Sequence, residues 1–336
     1  MSTAVILMNL GTPAEPSAPA VRKFLRDFLS DPRVVEIPRL VWLPILHGII
    51  LTLRPRRIAP AYAEIWNTGL DGEPVEGAPL LYYTRRQAEL LQQHLSRQGT
   101  NVRVEYAMTY GDPQLADVVA RLQREGFDSF VVFPLYPQYS ATTTGSIYDQ
   151  VARIYRSNRN IPNISLVHDY YRHPLYVRAL ANSVREHWAK HGAAEKLLLS
   201  FHGIPRANVD KGDPYYHQCR QTAEGLAAEL GLNEGQWQLC FQSRFGKAEW
   251  LQPYTDKTLV EWGKKGVASV DVICPAFAAD CLETIEEIAE ENRAIFIEAG
   301  GGEYRYIPAL NLRGDHIEAL AGIVEDKLPL QLRLPD

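Results

Sequence analysis

Leu197-Leu198-Leu199-Ser200-Phe201-His202-Gly203-Ile204-Pro205 is the stretch whose reading decides the fold. Its apolar run is continuous where a half-exposed strand would alternate, which marks a strand buried on both faces of a parallel sheet. The run stops at a polar loop that opens with a histidine. In open α/β sheets ligands sit outside the carboxyl ends of the strands, so His202 stands where a catalytic side chain is expected. A strand-end histidine also serves as an ordinary hydrogen-bonding group, so the weight falls on what other strand ends bring to the same edge.

Working outward, strand-like runs alternate with helical ones along the whole chain, the pattern of parallel α/β sheets. Strands are expected at 4–9, 102–108, 129–133, 164–167, 196–201, 237–241, 267–273 and 303–307. Helices are expected at 18–29, 59–66, 80–97, 115–126, 147–156, 174–191, 219–230, 257–265, 280–292 and 316–328. The polar stretch 158–162 reads as a hinge. The chain is therefore expected to form an N-terminal lobe over 1–160 and a C-terminal lobe over 161–312, with a cleft between them. A last helical segment, 313–336, is expected to pack across the junction.

The chain has 336 residues, enough for two well-buried domains. Hydrophobic residues make up 46% and charged residues 22%, and 35 basic against 40 acidic residues give a net charge of −5. That balance argues against nucleic acid as a partner. The N-terminus has no basic leader and reads as a first strand, so the expected location is the cytoplasm. Cys219, Cys240, Cys274 and Cys281 form no C-x-x-C pair and read as free thiols. The one membrane-like stretch, IPRLVWLPILHGIILTL from Ile37 to Leu53, is too short and too interrupted to span a bilayer. It reads either as an ordinary core helix or as an exposed apolar lip for a bilayer surface or a flat ligand.

Three constellations can carry chemistry. Glu283 and Glu287 lie four apart, and Glu290 or Glu291 continues the row on one helical face, with Asp280 at its start. Acids there complement a helix dipole, and Asp280-x-x-Glu283 resembles a capping box; a line of carboxylates also suits cation binding or proton movement. An imidazole facing a carboxylate is a ligand pair for Fe²⁺, Co²⁺ or Zn²⁺, and equally an acid–base pair. Arg54, Arg56 and Arg57 precede Tyr62, and Tyr110, Tyr136 and Tyr139 lie at strand ends. As a set they suit a large, flat, partly anionic ligand. Neither a phosphate-binding Gly-Lys-Ser/Thr loop nor a Gly-x-Gly-x-x-Gly turn is present, which argues against a nucleotide site.

Together these motifs resemble the ferrochelatase family over almost the whole chain. The resemblance is carried by Leu199-Ser-Phe-His-Gly-Ile-Pro205 with Lys211-Gly-Asp-Pro-Tyr215, and by Phe241-Gln-Ser-Arg-Phe-Gly246 with Trp250-Leu-Gln-Pro-Tyr-Thr-Asp256. It extends to Cys274-Pro-Ala-Phe with Asp280-Cys-Leu-Glu-Thr-Ile-Glu-Glu287, Pro137-Gln-Tyr-Ser140 with Thr143-Thr-Gly145, and Asn9-Leu-Gly-Thr-Pro13. It implies two Rossmann-like lobes, each a parallel four-stranded sheet flanked by helices, with a porphyrin between them. The implied activity is a lyase of haem biosynthesis, inserting ferrous iron into protoporphyrin IX to form protohaem.

By the same resemblance His202 and Glu283 are the catalytic, metal-site pair, with Asp280 and Glu287 beside them. Leu10, Tyr136, Trp250 and Phe277 would line the porphyrin site, and Arg54, Arg57 and Tyr62 would form its propionate side. Whether His202 acts first as base or as ligand stays open, as does protoporphyrin IX against coproporphyrin III. Iron is implied as substrate, with no prosthetic group and no iron–sulfur cluster. The 37–53 lip would make peripheral membrane contact. The rivals are a cobalt or nickel chelatase of the same fold and a non-catalytic tetrapyrrole carrier. Ala276, where a glycine is common, and the long 70–77 loop depart from the family pattern.

Overall fold

Continuous apolar runs give two parallel sheets. A computed structural model describes residues 2–246 and 248–328, the side chain of Asp71 excepted. The chain divides into two compact units, Met1–Asp169 with Ile317–Asp336, and Tyr170–His316.

In the first unit the strands are β1 (Thr3–Asn9), β2 (Arg103–Met108), β3 (Ser129–Pro134) and β4 (Asn163–Leu166), in the order β2-β1-β3-β4. All seven residues of β1 are buried, as its unbroken apolar sequence requires of a central strand. Ala4, Ile6, Met8, Phe130 and Val132 pack on the helices Leu115–Arg124 and Thr144–Ser157 through Leu115, Val118, Leu122, Ile147 and Val151.

The second unit holds β5 (Lys196–His202), β6 (Trp237–Gln242), β7 (Ser269–Ile273) and β8 (Glu303–Ile307), in the order β6-β5-β7-β8. Every pairing is parallel. The connectivity repeats that of the first unit, with the central strand first and its two neighbours added on opposite sides. The last β5–β7 pair is Leu199 with Ile273, whereas pairing with β6 continues to His202 with Gln242. The last turn of β5 is thus held from one side only.

Three expectations change. The strand expected at 164–167 belongs to the first half and not the second, because β4 pairs with β3 and completes the first sheet, which moves the boundary to 169/170. The acidic helix expected over 280–292 is a π-helix, Glu283–Glu291, followed by an α-helix, Asn292–Glu298. The short helix expected at 59–66 is the end of Leu51–Ile65, which follows a helix at Arg39–Ile45 and a π turn at Leu46–Ile50. Pro44 lies inside the first of these helices and Pro55 and Pro60 inside the last. A buried face of Leu51, Pro55, Ala59, Tyr62 and Ile65 outweighs the hydrogen bonds the prolines remove.

The 37–53 segment has one buried face and one exposed face. Trp42, Leu46 and Leu51 are buried, and the Trp42 indole donates to the Leu29 carbonyl at 2.7 Å. Leu40, Val41, Ile45, Ile49 and Leu53 are exposed. No described helix is long and apolar enough to cross a membrane. The C-terminal helix runs over Gly314–Lys327, and residues 329–336 of the expected last segment lie outside the described residues.

Candidate active site

A strand order that reverses beside the first strand creates a crevice at the carboxyl ends of the two strands on either side of the reversal. In the second unit that point lies between β5 and β7, and the sequence places His202 at the end of one and Cys274 through Glu287 after the other.

His202 is half-buried, with Nδ1 2.7 Å from the Gly203 carbonyl oxygen. A carbonyl only accepts, so Nδ1 carries the proton and Nε2 of the neutral ring keeps its lone pair. Gly203 is required beside it, because a Cβ there would lie 2.9 Å from the Gln242 carbonyl and 3.3 Å from the Trp250 ring. Trp250 is held by its indole N–H, 2.9 Å from the Phe245 carbonyl, and its segment bridges to Pro205. Phe277 turns back on Cys274 through a 3.1 Å backbone bond and packs on the sheet core.

Opposite β5, the chain leaves β6 through Ser243, a non-glycine residue at φ +56°. That conformation aims both its donors at Glu287: the N–H lies 2.9 Å from Oε1, and Oγ bonds Oε2. Burial pushes the Glu287 carboxyl above its ordinary range, the Ser243 bonds and His202 pull it back, and neighbouring Glu283 adds to the rise. Gln242 is buried, receives Ser200 Oγ at 2.8 Å and donates to the Glu283 carbonyl at 3.1 Å. His202, Ser243, Glu283 and Glu287 are thereby gathered at one sheet edge.

Burial pushes the Cys281 thiol well up, and so does the Glu283 carboxylate that it bonds. Asp280, expected beside the metal, is 0% exposed. Its Oδ1 accepts from Tyr306 Oη at 2.7 Å, Thr284 Oγ1 at 2.8 Å and the Ala309 N–H at 3.3 Å, and its Oδ2 from Asn311 Nδ2 at 2.6 Å. Burial raises its carboxyl, against those four bonds. The capping box read from Asp280-x-x-Glu283 does not form, because these donors occupy the carboxylate and the π-helix begins without a side-chain cap. Glu290 and Glu291 are exposed, so the row of carboxylates narrows to Glu283 and Glu287.

In the first unit the reversal lies between β1 and β3, and Leu10 and Tyr136 follow those two strands. Both are half-buried; the Leu10 N–H bonds Asn9 Oδ1 at 2.9 Å, and Tyr136 packs on the sheet core. Tyr110 is buried, donates to Asp31 at 2.8 Å, and is pushed far above its ordinary range by burial and that carboxylate. Arg54 and Arg57 lie on Leu51–Ile65, Arg54 half-buried and Arg57 exposed, and Tyr62 is buried on the same helix. Gln242, Ser243, Thr284, Tyr306 and Asn311 were not singled out in the sequence; only Gln242, Ser243 and Thr284 lay inside a motif.

A family model for ferrochelatase matches residues 2–328. A ferrochelatase of Aromatoleum aromaticum is 53% identical over 334 residues, covering 99% of this chain and 90% of that protein. One of Psychrobacter cryohalolentis is 53% identical, covering 94% and 92%, and one of Dechloromonas aromatica is 51% identical, covering 97% and 88%. Among solved structures, SirB from Bacillus subtilis with Fe³⁺ superposes with a TM-score of 0.56 at 12% identity, covering 97% of this chain and 95% of that one. That likeness concerns the fold alone.

Proposed function

The chain belongs to the ferrochelatase family, and on that premise we propose that it inserts ferrous iron into protoporphyrin IX, yielding protohaem and two protons. The observation that carries the reading is that His202, Glu283 and Glu287 share one sheet edge at a strand-order reversal, close enough for His202 and Glu283 to act on the Glu287 carboxyl. Insertion needs an acceptor for two pyrrole protons and negative charge to accompany the cation. Nε2 accepts a pyrrole proton or ligates iron as it sheds water. Glu283 supplies compensating charge, and Glu287, raised by burial, takes a proton onward at the edge of the π-helix.

The porphyrin contacts proposed are Leu10, Tyr136, Trp250 and Phe277, with Arg54, Arg57 and Tyr62 on the propionate side. Guanidiniums suit propionates because they bind carboxylates in a planar fork. The exposed row of the 37–53 lip is the proposed contact with a bilayer surface, on the cytoplasmic side. The reading uses no prosthetic group and no iron–sulfur cluster; four buried thiols on separate elements suit free cysteines.

The test is anaerobic. Protein, protoporphyrin IX and Fe²⁺ are mixed, and loss of porphyrin fluorescence is followed with growth of the haem spectrum. Turnover is expected, with His202→Ala lowering it by at least a thousandfold and leaving porphyrin affinity within about threefold, since the ring holds by its aromatic and guanidinium contacts. Tight porphyrin binding without turnover would point to a carrier, and turnover with Co²⁺ or Ni²⁺ alone to a different chelatase.

A further inference from the structure

We propose that Asn311 and Asp280 form a hydrogen-bond clamp that fixes the helix carrying Glu283, with Asp280 an anchor of the metal site and not one of its ligands. The proposal rests on the function proposed above and assigns to Asn311 a positioning role in it.

The geometry is two-pronged. Asn311 Nδ2 donates to Asp280 Oδ2 at 2.6 Å, and Asn311 Oδ1 accepts the Asp280 N–H at 2.8 Å. One planar amide thus grips both the side chain and the backbone of the residue three places before Glu283. Asn311 can reach both because its backbone is left-handed, φ +40°, a conformation that asparagine tolerates better than most residues. Its own carbonyl accepts from Nδ1 of the buried His316 at 3.0 Å, which fixes the loop that presents it.

On its other side Asp280 is tied to the helix. Thr284, the residue after Glu283, bonds Asp280 Oδ1 through its hydroxyl, and the same hydroxyl accepts the Cys281 N–H at 3.0 Å. Tyr306 on β8 adds a third support at 2.7 Å. A carboxylate with four protein donors and no exposed surface presents no oxygen to a solvent-borne ion. What it can transmit is position. Loss of the Asn311 amide frees the start of the π-helix and with it the Glu283 carboxylate.

An exchange of the two side chains separates position from charge. In the double variant Asp280→Asn, Asn311→Asp, an amide at 280 donates to a carboxylate at 311. That carboxylate still accepts the backbone N–H of 280, so every bond of the clamp survives with the charge moved. The readouts are kcat and the KM values for Fe²⁺ and porphyrin, together with thermal melting. Asn311→Gly, which keeps the left-handed backbone, is expected to raise the KM for Fe²⁺ or lower kcat by about tenfold, the scale of one hydrogen bond to a charged group, with the porphyrin KM unchanged. Asp280→Asn alone is expected to be impaired similarly, and the exchange to restore both parameters to within about threefold of the parent.

An exchange variant no better than Asp280→Asn alone overturns the proposal, because the carboxylate itself would then be needed at 280. Asn311→Gly with unaltered kinetics overturns it as well, whether or not the exchange variant folds. Failure of the parent protein to insert metal in the same assay would strike the proposed function instead.

Discussion

At the scale of single residues, Ser243 shows what the site spends on one carboxylate. A non-glycine residue in the left-handed region costs about 1–3 kcal/mol and persists only where its surroundings hold it. Here the return is two donors on the two oxygens of Glu287. Both stabilise the ionised form, against a burial that favours the neutral one. Ser243→Ala removes the hydroxyl and keeps the N–H, so protonation becomes easier and the Glu287 carboxyl moves further up. If Glu287 must be ionised for turnover, the acid limb of kcat/KM shifts to higher pH, by about one unit for one charged hydrogen bond. Profiles of the parent and Ser243→Ala, measured between pH 5 and 9, check this; coincident acid limbs would sever Ser243 from the ionisation of Glu287. As candidates, His202 stands out in the sequence because it closes an apolar run, and Glu283 because it lies four residues before Glu287. Nothing in a serine announces a positive φ, and nothing near Asn311 marks its partner 31 positions upstream.

At the scale of elements, strands were legible and helix type was not. The strand-like runs fall within a few residues of the eight described strands, and the central strands β1, β3 and β5 are continuous because burial on both faces leaves little freedom of composition. The stretch Glu283–Glu291 satisfies an α-helical pattern equally well, and tertiary bonds decide otherwise. Gln242 Nε2 takes the Glu283 carbonyl, and Asn292 Nδ2 takes the Glu287 carbonyl at 2.7 Å, supporting the wider turn. Two elements rest on contacts that can be tested directly. Gly11, at φ +103°, turns the chain after β1, and a Cβ there would lie 1.6 Å from the Tyr110 carbonyl oxygen. Gly11→Ala must displace that backbone and is expected to cost about 3 kcal/mol or more of stability by denaturant titration. In the second unit, buried Asp271 on β7 ties the helix Pro174–His191 to the sheet. It accepts from His187 at 3.2 Å, Trp188 at 2.8 Å and Arg305 at 2.7 Å. Burial pushes its carboxyl up, and the bonds from His187, Arg305 and Trp188 more than reverse this, leaving it below its ordinary range. A depressed carboxyl stabilises the fold above the unfolded pKa of about 3.9, and that contribution is lost as pH falls through the folded value. Asp271→Asn is expected to cost about 1.5–3 kcal/mol at pH 7, since Arg305 keeps Glu303 at 3.6 Å and the His191 and Gly192 carbonyls, and to flatten the loss of stability below pH 4. A variant as stable as the parent at pH 7 would show the cluster to be dispensable.

At the scale of the molecule, each unit repeats one strand order, and each places its candidate residues where that order reverses. The repetition could be inferred from alternating patterns, but the boundary could not: β4 is short and half-exposed, and its allegiance is fixed only by its pairing with β3. The largest feature that the chemistry of metal insertion does not itself require is the apolar row of the 37–53 segment. Val41, Ile45, Ile49 and Leu53 recur every fourth residue, with exposures of 55%, 36%, 55% and 67%, and Leu40 beside them reaches 92%. Their neighbours Trp42, Leu46 and Leu51 face the core, so the row is the outer face of a firmly seated helix. Arg39, Arg54, Arg56 and Arg57 border it, a local basic margin on a chain of net charge −5. Apolar side chains framed by arginines suit the interface of a bilayer containing anionic lipid. Each exposed leucine contributes about 2 kcal/mol when buried in an acyl layer, so Leu40→Asn with Leu53→Asn is expected to lower vesicle partitioning by about a thousandfold. Sedimentation with phosphatidylcholine vesicles containing phosphatidylglycerol measures it, with haem formation in detergent as the control for an intact site. Raised salt should weaken the parent's binding and leave a remainder that depends on the leucines, because salt screens the arginines and not apolar burial. If the double variant binds vesicles as the parent does, the row does not meet the bilayer.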